Sequence, residues 1–206
     1  MWRAVSLTIE LELDVHVMTQ SIPTATNVDH IGWSVHDLDA AVSFCVEVLG
    51  GREILRAGPF CDASGDWMST HFDVDARASA SLALVRLGAT QVVEFIQWST
   101  ANREVVWPLN SDVGASHLAI HVSDIDQAMR YLQEHGCSAC GDPILLENVP
   151  HAGMTILYVR TPIGLLLELV SRPAHDLPYE ATTDARLLVP TQEWNNGQAD
   201  LREEIP

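Results

Sequence analysis

The amino-acid sequence predicts an α+β protein made of two tandem βαβββ modules, and three observations predict it. The stretch Asp29-His30-Ile31-Gly32-Trp33-Ser34-Val35-His36-Asp37-Leu38-Asp39 returns, about 87 positions on, as Ser116-His117-Leu118-Ala119-Ile120-His121-Val122-Ser123-Asp124-Ile125-Asp126. Leu84-Val85-Arg86 leading to Val93-Glu94-Phe95 returns, about 74 positions on, as Tyr158-Val159-Arg160 leading to Leu167-Glu168-Leu169. Between these anchors, strand-like and helix-like periodicity follow one another in the same order in both halves.

Each element has its own signal. Residues 1–26 form an N-terminal extension in which Val5, Leu7, Ile9, Leu11, Leu13, Val15 and Val17 alternate with polar residues, the pattern of an amphipathic strand. A start at Met18 is the competing reading of that stretch. The first module, 27–100, opens with a strand at 29–35. Asp37 then caps a helix marked by Leu38, Ala41, Val42, Cys45 and Leu49, and Gly50-Gly51 stops it. Strands follow near 52–57, 80–87 and 91–98, with 58–78 expected to be a long loop beside the site. The second module, 115–171, has a strand at 116–122, then a helix capped by Asp124, carrying Ile125, Ala128, Met129 and Leu132 and ended by Gly136. Strands near 143–147, 153–160 and 164–170 complete it. Residues 172–206, with several prolines and acids, read as an irregular tail.

Composition bounds the function. The 206 residues, 47% hydrophobic with mean hydropathy +0.09, are enough for a substantial core. The longest apolar runs have strand length, so no transmembrane helix is expected. Against 28 Asp and Glu stand 11 basic residues, a formal charge of −17 that repels nucleic acid and anionic membranes. It also disfavours substrates carrying several phosphates. Every basic residue is arginine, which excludes lysine Schiff-base chemistry and a P-loop. Cys45 sits at an apolar helix position and reads as a small core residue. Cys137-Ser-Ala-Cys140 is a lone CxxC at a helix end, read as structural. No secretory signal is apparent, so a cytoplasmic location is expected.

Strand alternation decides which side chains converge. Ile31, Trp33 and Val35 share one face and are expected to pack on the helix, leaving His30, Gly32 and Ser34 on the other. Likewise Leu118, Ile120 and Val122 oppose His117, Ala119 and His121. Glu94 lies opposite Val93 and Phe95, and Glu168 opposite Leu167 and Leu169. Carboxylates within apolar strands are costly unless they are paired or metal-bound. A divalent cation held by His30, Glu94, His117 and Glu168 explains both of them at once, with charge balance.

On these residues the chain resembles the vicinal oxygen chelate superfamily, which includes glyoxalase I, methylmalonyl-CoA epimerase, fosfomycin-resistance enzymes, extradiol dioxygenases and bleomycin-binding proteins. The resemblance rests on His30 with Val35-x-Asp37-Leu38-x-x-Ala41, Glu94 in Val-Val-Glu-Phe, His117 with Val122-x-Asp124-Ile125, and Glu168 after Thr-Pro-Ile-Gly. It spans roughly 27–171. It implies that the two modules pair into a U-shaped mixed sheet around a metal-binding cleft. One departure, Thr161-Pro162-Ile163-Gly164 in place of Asp-Pro-x-Gly-Asn, affects a turn and no ligand.

Glu94 occupies a position that the glyoxalase and epimerase branches fill with Glu or Gln. It therefore points to a lyase or isomerase that moves a proton next to a carbonyl through a metal-stabilised enolate. Glu168 is the favoured base by similarity to glyoxalase I, with Glu94 as its opposite-face partner. The implied cofactor is one divalent ion among Zn, Ni, Co, Mn and Fe, and the implied ligand is a small oxygenated molecule. An extradiol-type dioxygenase, a fosfomycin-resistance-like transferase and a non-catalytic binding protein remain alternatives. His121, Trp98 and His71 are candidates to contact substrate, with satisfied or core roles as the competing readings. Arg86 and Arg160 are equivalent by repeat and read first as surface residues. A homodimer is expected, with the site formed within one chain or across two.

Overall fold

The computed structural model describes residues 22–101, 106–183 and 187. The alternating stretch 5–17 and most of the acidic C-terminal segment lie outside the described residues. The α+β fold expected from the repeat is present as two mixed sheets with few helices.

In the first module, β1 (Ile31–Ser34) leads to Asp37, whose extended backbone lets its carboxylate accept the Ala40 N–H at 3.0 Å. Such a cap contributes about 1 kcal/mol and starts helix α1 (Leu38–Ser43), which continues through a wider π-helical turn, Phe44–Val48. Leu38, Ala41, Val42, Phe44 and Cys45 face inward. Gly50, at φ 70°, reverses the chain into β2 (Arg52–Cys61). Helix α2 (Trp67–Phe72), β3 (Ser79–Leu87) and β4 (Gln91–Ser99) follow. The sheet order is β1-β4-β3-β2, with β1 parallel to β4 and the other pairs antiparallel.

The stretch 58–78 is more ordered than the loop expected from its glycine and aspartates. β2 runs on to Cys61, and Asp62 then accepts the backbone N–H groups of Ser64, Gly65 and Trp67, at 3.2, 2.9 and 3.1 Å. That side-chain turn delivers the chain into α2.

The second module repeats the plan with β5 (His117–His121), α3 (Ile125–Glu134), β6 (Ser138–Ala139), β7 (Ile144–Leu145), β8 (Thr155–Arg160) and β9 (Leu166–Ser171). Asp124 caps α3 by accepting the Gln127 N–H at 2.8 Å. The sheet order is β5-β9-β8-β6, with β7 also paired to β8 and β5 parallel to β9. The strand expected at 143–147 is thus only two residues long, and a second short strand at 138–139 shares the edge of β8. At the turn before β9, Gly164 has φ +85° and the Trp107 indole lies 1.8 Å from where a Cβ would stand, so only glycine fits. After β9 the chain forms a short 3-10 turn, Pro178–Ala181, tied back by Arg172 to Glu180 at 3.2 Å.

One apolar cluster unites both modules. It includes Val35, Val42, Val85, Val93 and Phe95 from the first and Ile125, Met129, Leu157, Val159, Leu167 and Leu169 from the second. The edge strands β1 and β5 border a seam that the Trp33 indole N–H bridges by donating to the Ser116 hydroxyl. Tyr131 on α3 donates to the Val48 carbonyl across the modules, at 3.0 Å. Ile31 departs from expectation. It is 55% exposed, because it begins an edge strand beyond the cover of α1, while Trp33 and Val35 pack inward.

Candidate functional site

Strand register places the two histidines and two glutamates in equivalent pairs. In the parallel β1–β4 ladder Gly32 stands opposite Glu94, and in the β5–β9 ladder Ala119 stands opposite Glu168. Each histidine lies two residues before that small neighbour, on the same face. His30 Nε2 is consequently 3.3 Å from a Glu94 oxygen, and His117 Nε2 is 3.1 Å from a Glu168 oxygen. The faces opposite them, carrying Val93, Phe95, Leu167 and Leu169, are in the core.

Both pairs are half-open. The side chains of His30 and His117 are 35% and 34% exposed, and those of Glu94 and Glu168 are 17% and 15%. Small residues keep this face clear: a Cβ on Gly32 would come within 3.4 Å of Glu94 Oε2. Asp29 holds His30 Nδ1 at 2.6 Å, turning Nε2 toward Glu94. That hydrogen bond, with Glu94 beside the ring, raises the His30 pKa above its ordinary value against a smaller effect of burial.

Two imidazoles and two carboxylates suit a divalent ion in donor type, and the Asp29–His30 contact is the kind that orients a ligating imidazole. The four are brought together as two pairs, one on each side of the β1/β5 seam. Among the described residues, no three His, Cys, Asp or Glu side chains gather as one ion-holding group.

The other predicted contacts fall at the two ends of this face. Trp98, four residues beyond Glu94, donates its indole N–H to Ser34 Oγ at 3.2 Å. Phe72 of α2 lies against it, ring centroids 6.0 Å apart, and Trp67 in turn contacts both Phe72 and His71 at 5.1 Å. His71 thus belongs to an aromatic group that reaches Trp98 through Phe72. His121, on the face of His117, has its pKa lowered, first by desolvation and then by the nearby Arg172. Arg86 and Arg160 also point to the side of the glutamates, since they pair with Val92 and Leu166, and Arg160 donates to Cys140 Sγ at 3.3 Å.

Two residues at the site escaped sequence reasoning. Tyr158 stands directly across the β8–β9 ladder from Glu168, and its ring meets His117 edge-on at 5.3 Å. Burial, then the Glu168 charge, raises its pKa, with Asn110 acting on the same hydroxyl in the opposite direction. The signal for Tyr158 was in the repeat, which aligns it with Leu84 in the first module. Asn110 had no signal, because it lies in the linker between the modules.

The fold and site together are those of a duplicated βαβββ chain whose equivalent strands carry paired histidines and glutamates. The chain belongs to the Glyoxalase/Bleomycin resistance protein/Dioxygenase superfamily, which its residues 29–157 match. A relative from Actinomyces sp, 2-epi-5-epi-valiolone epimerase, is 40% identical over 178 residues, covering 86% of this chain and 96% of its own. Among solved structures, a glyoxalase family protein from Bacillus cereus aligns with TM-score 0.54 at 20% identity, over 73% of this chain and 98% of its own. A glyoxalase family protein from Enterococcus faecalis aligns with TM-score 0.50 at 19% identity, over 70% and 96%. These two likenesses establish the fold.

Proposed function

We propose that the chain is a metal-dependent epimerase that inverts a carbon next to the carbonyl of a small polar ketone. The observation that carries this is the equivalent placement of Glu94 and Glu168, each beside its histidine on the open face. The 40% identity to an enzyme named as an epimerase supports the same reading. The substrate class is that of the relative's 2-epi-5-epi-valiolone, a ketone by name.

The proposed chemistry needs two carboxylates. One takes the α-proton, and the C–H electron pair moves into the adjacent carbon–carbon bond while the carbonyl oxygen gains the negative charge. The carboxylic acid on the other side then returns a proton to the opposite face, and the carbon is inverted. The two carboxyl groups end with exchanged protonation and reset through solvent. His30, His117, Glu94 and Glu168 would hold a divalent ion, whose charge lowers the cost of the developing oxyanion. His121 and Arg172 at one end, and Trp98 at the other, would contact the substrate.

Both pairs lie in one chain, one on each side of the β1/β5 seam. Trp33 and Ser116 join the strands that carry the two histidines, and the core is common to both modules. A homodimer is proposed separately, from the exposed Ile54 and Leu55 on β2 and Ile144 and Leu145 on β7. A reducing cytoplasm suits the four cysteines, all of which are free thiols.

The test is incubation of metal-loaded protein with 2-epi-5-epi-valiolone and other small polar ketones in D₂O, followed by ¹H NMR. One deuterium at the carbon next to the carbonyl, with a second diastereomer appearing, is expected. A protein that binds one ion yet exchanges none of them would refute proton transfer. A folded protein that binds no ion would make it a binding protein.

A further inference from the structure

The ligand pairs repeat, but their surroundings do not. Glu94 faces Leu84 across the β3–β4 ladder, whereas Glu168 faces Tyr158 at the equivalent place on β8–β9. Residues directly opposite in an antiparallel ladder share a face, with Cβ atoms about 4.5–5.5 Å apart. The longer tyrosine therefore shares the face of the glutamate and stands beside it across the ladder. The ring also meets His117 edge-on at 5.3 Å, so one side chain touches both members of the second pair. Across the β3–β4 ladder Glu94 instead faces an aliphatic neighbour, Leu84.

The first module braces the other member of its pair. Asp29 holds His30 at 2.6 Å, and the equivalent of Asp29 is Ser116, which instead accepts the Trp33 N–H. In one half the histidine is oriented from behind; in the other, the glutamate is.

Resting on the metal-dependent reading above, we infer that Tyr158 is a positioning residue that fixes Glu168 as a ligand and makes the two halves of the site inequivalent. Its hydroxyl is the outer partner that orients the Glu168 carboxylate. In the first module the equivalent place opposite Glu94 holds Leu84, which has no hydroxyl to offer.

The experiment is titration of chelator-stripped protein with Zn²⁺ against a chromogenic chelator, for wild type, Tyr158→Phe and Tyr158→Leu. Phe keeps the ring contact with His117 and removes only the hydroxyl; Leu reproduces the first module. Both variants are expected to bind one ion, with dissociation constants raised about 10- to 100-fold, the usual cost of losing an outer-shell partner. In steady-state kinetics under saturating metal, kcat should fall with KM near the wild-type value. Tyr158→Phe binding Zn²⁺ within about twofold of wild type would overturn the inference while leaving the metal reading intact. A loss confined to Tyr158→Leu would do the same, since ring packing alone would then explain it. Wild-type protein that takes up no Zn²⁺ would overturn both.

Discussion

Gly32 is the point at which the geometry of the candidate site can be tested most directly. It lies opposite Glu94 in the β1–β4 ladder, where the second module has Ala119 opposite Glu168. A Cβ built on Gly32 meets one group, Glu94 Oε2 at 3.4 Å, the near edge of ordinary contact, and its φ is not in the left-handed region. Gly32→Ala therefore fits without displacing the carboxylate. Removing a strand glycine restricts the unfolded chain, so the variant should be more stable by about 0.4–1 kcal/mol. Gly32→Val is different. Its methyl groups extend about 1.5 Å further, one bond length, into the space beside Oε2, so Glu94 is expected to swing away. The expected result is a Zn²⁺ dissociation constant raised at least about tenfold, roughly 1.4 kcal/mol, with a melting temperature close to that of wild type. Chelator competition and thermal denaturation read the two quantities separately. If Gly32→Val bound Zn²⁺ as tightly as wild type, the orientation of Glu94 toward β1 would be refuted. A Gly32→Ala variant clearly less stable than wild type would refute the open space.

Further outcomes follow from the same contacts. Glu94→Gln should retain Zn²⁺ better than His117→Ala, because an amide oxygen still coordinates whereas a methyl group leaves no donor; titration giving the reverse ranking counts against the ligand set. In native protein, a thiol reagent should label the exposed Cys61 and Cys140 and spare Cys45, whose buried thiol is pushed up to about 12. Mass spectrometry of the labelled protein reads this directly. His121 should titrate below the ordinary histidine value of 6.5, since desolvation and Arg172 both oppose its charge. The folded pKa being the lower one, its contribution to stability is complete above pH 6.5 and is lost as the pH falls through the depressed value. Arg172→Met should raise that pKa, as followed by NMR of the imidazole protons.

Much of this architecture was legible because duplication prints each signal twice. Asp37 and Asp124 cap their helices as the pattern requires, and Gly50 and Gly136 follow the helices with φ of 70° and 82°. Strand alternation separated Glu94 from Val93 and Phe95, and Glu168 from Leu167 and Leu169, and it placed each glutamate on the side of its histidine. Alternation reports a face, however, and not what lies beyond the strand. Ile31 has the right parity for the core but no helix above it. Helix α2 was hidden because its start depends on one aspartate accepting three backbone N–H groups, an arrangement with little hydrophobic period. The arrangement of His30, Glu94, His117 and Glu168 as two pairs depends on how closely β1 and β5 approach, a distance between modules that no pattern within a module encodes.

What the repeat retains and what it varies separate two kinds of constraint. His30 and His117, and Glu94 and Glu168, recur at the same strand positions in both halves. The residues four further along do not: Ser34 and Trp98 in one half correspond to His121 and Arg172 in the other. One end of the open face is accordingly aromatic, with Trp98 bound to Ser34 and backed by Phe72. The other end is polar, with Arg172 near His121 and paired to Glu180. A symmetric pair of carboxylates can take and return a proton on opposite faces, but symmetry alone would let a ketone bind in two equivalent orientations. Unlike ends remove that degeneracy, because an apolar ring edge and a polar group lose different amounts of solvation at an indole and at a guanidinium. Trp98→Ala and Arg172→Met should therefore act differently on substrates that differ only in the polarity of one end. Equal effects on all such substrates, measured as kcat/KM, would show that the two ends do not set the orientation.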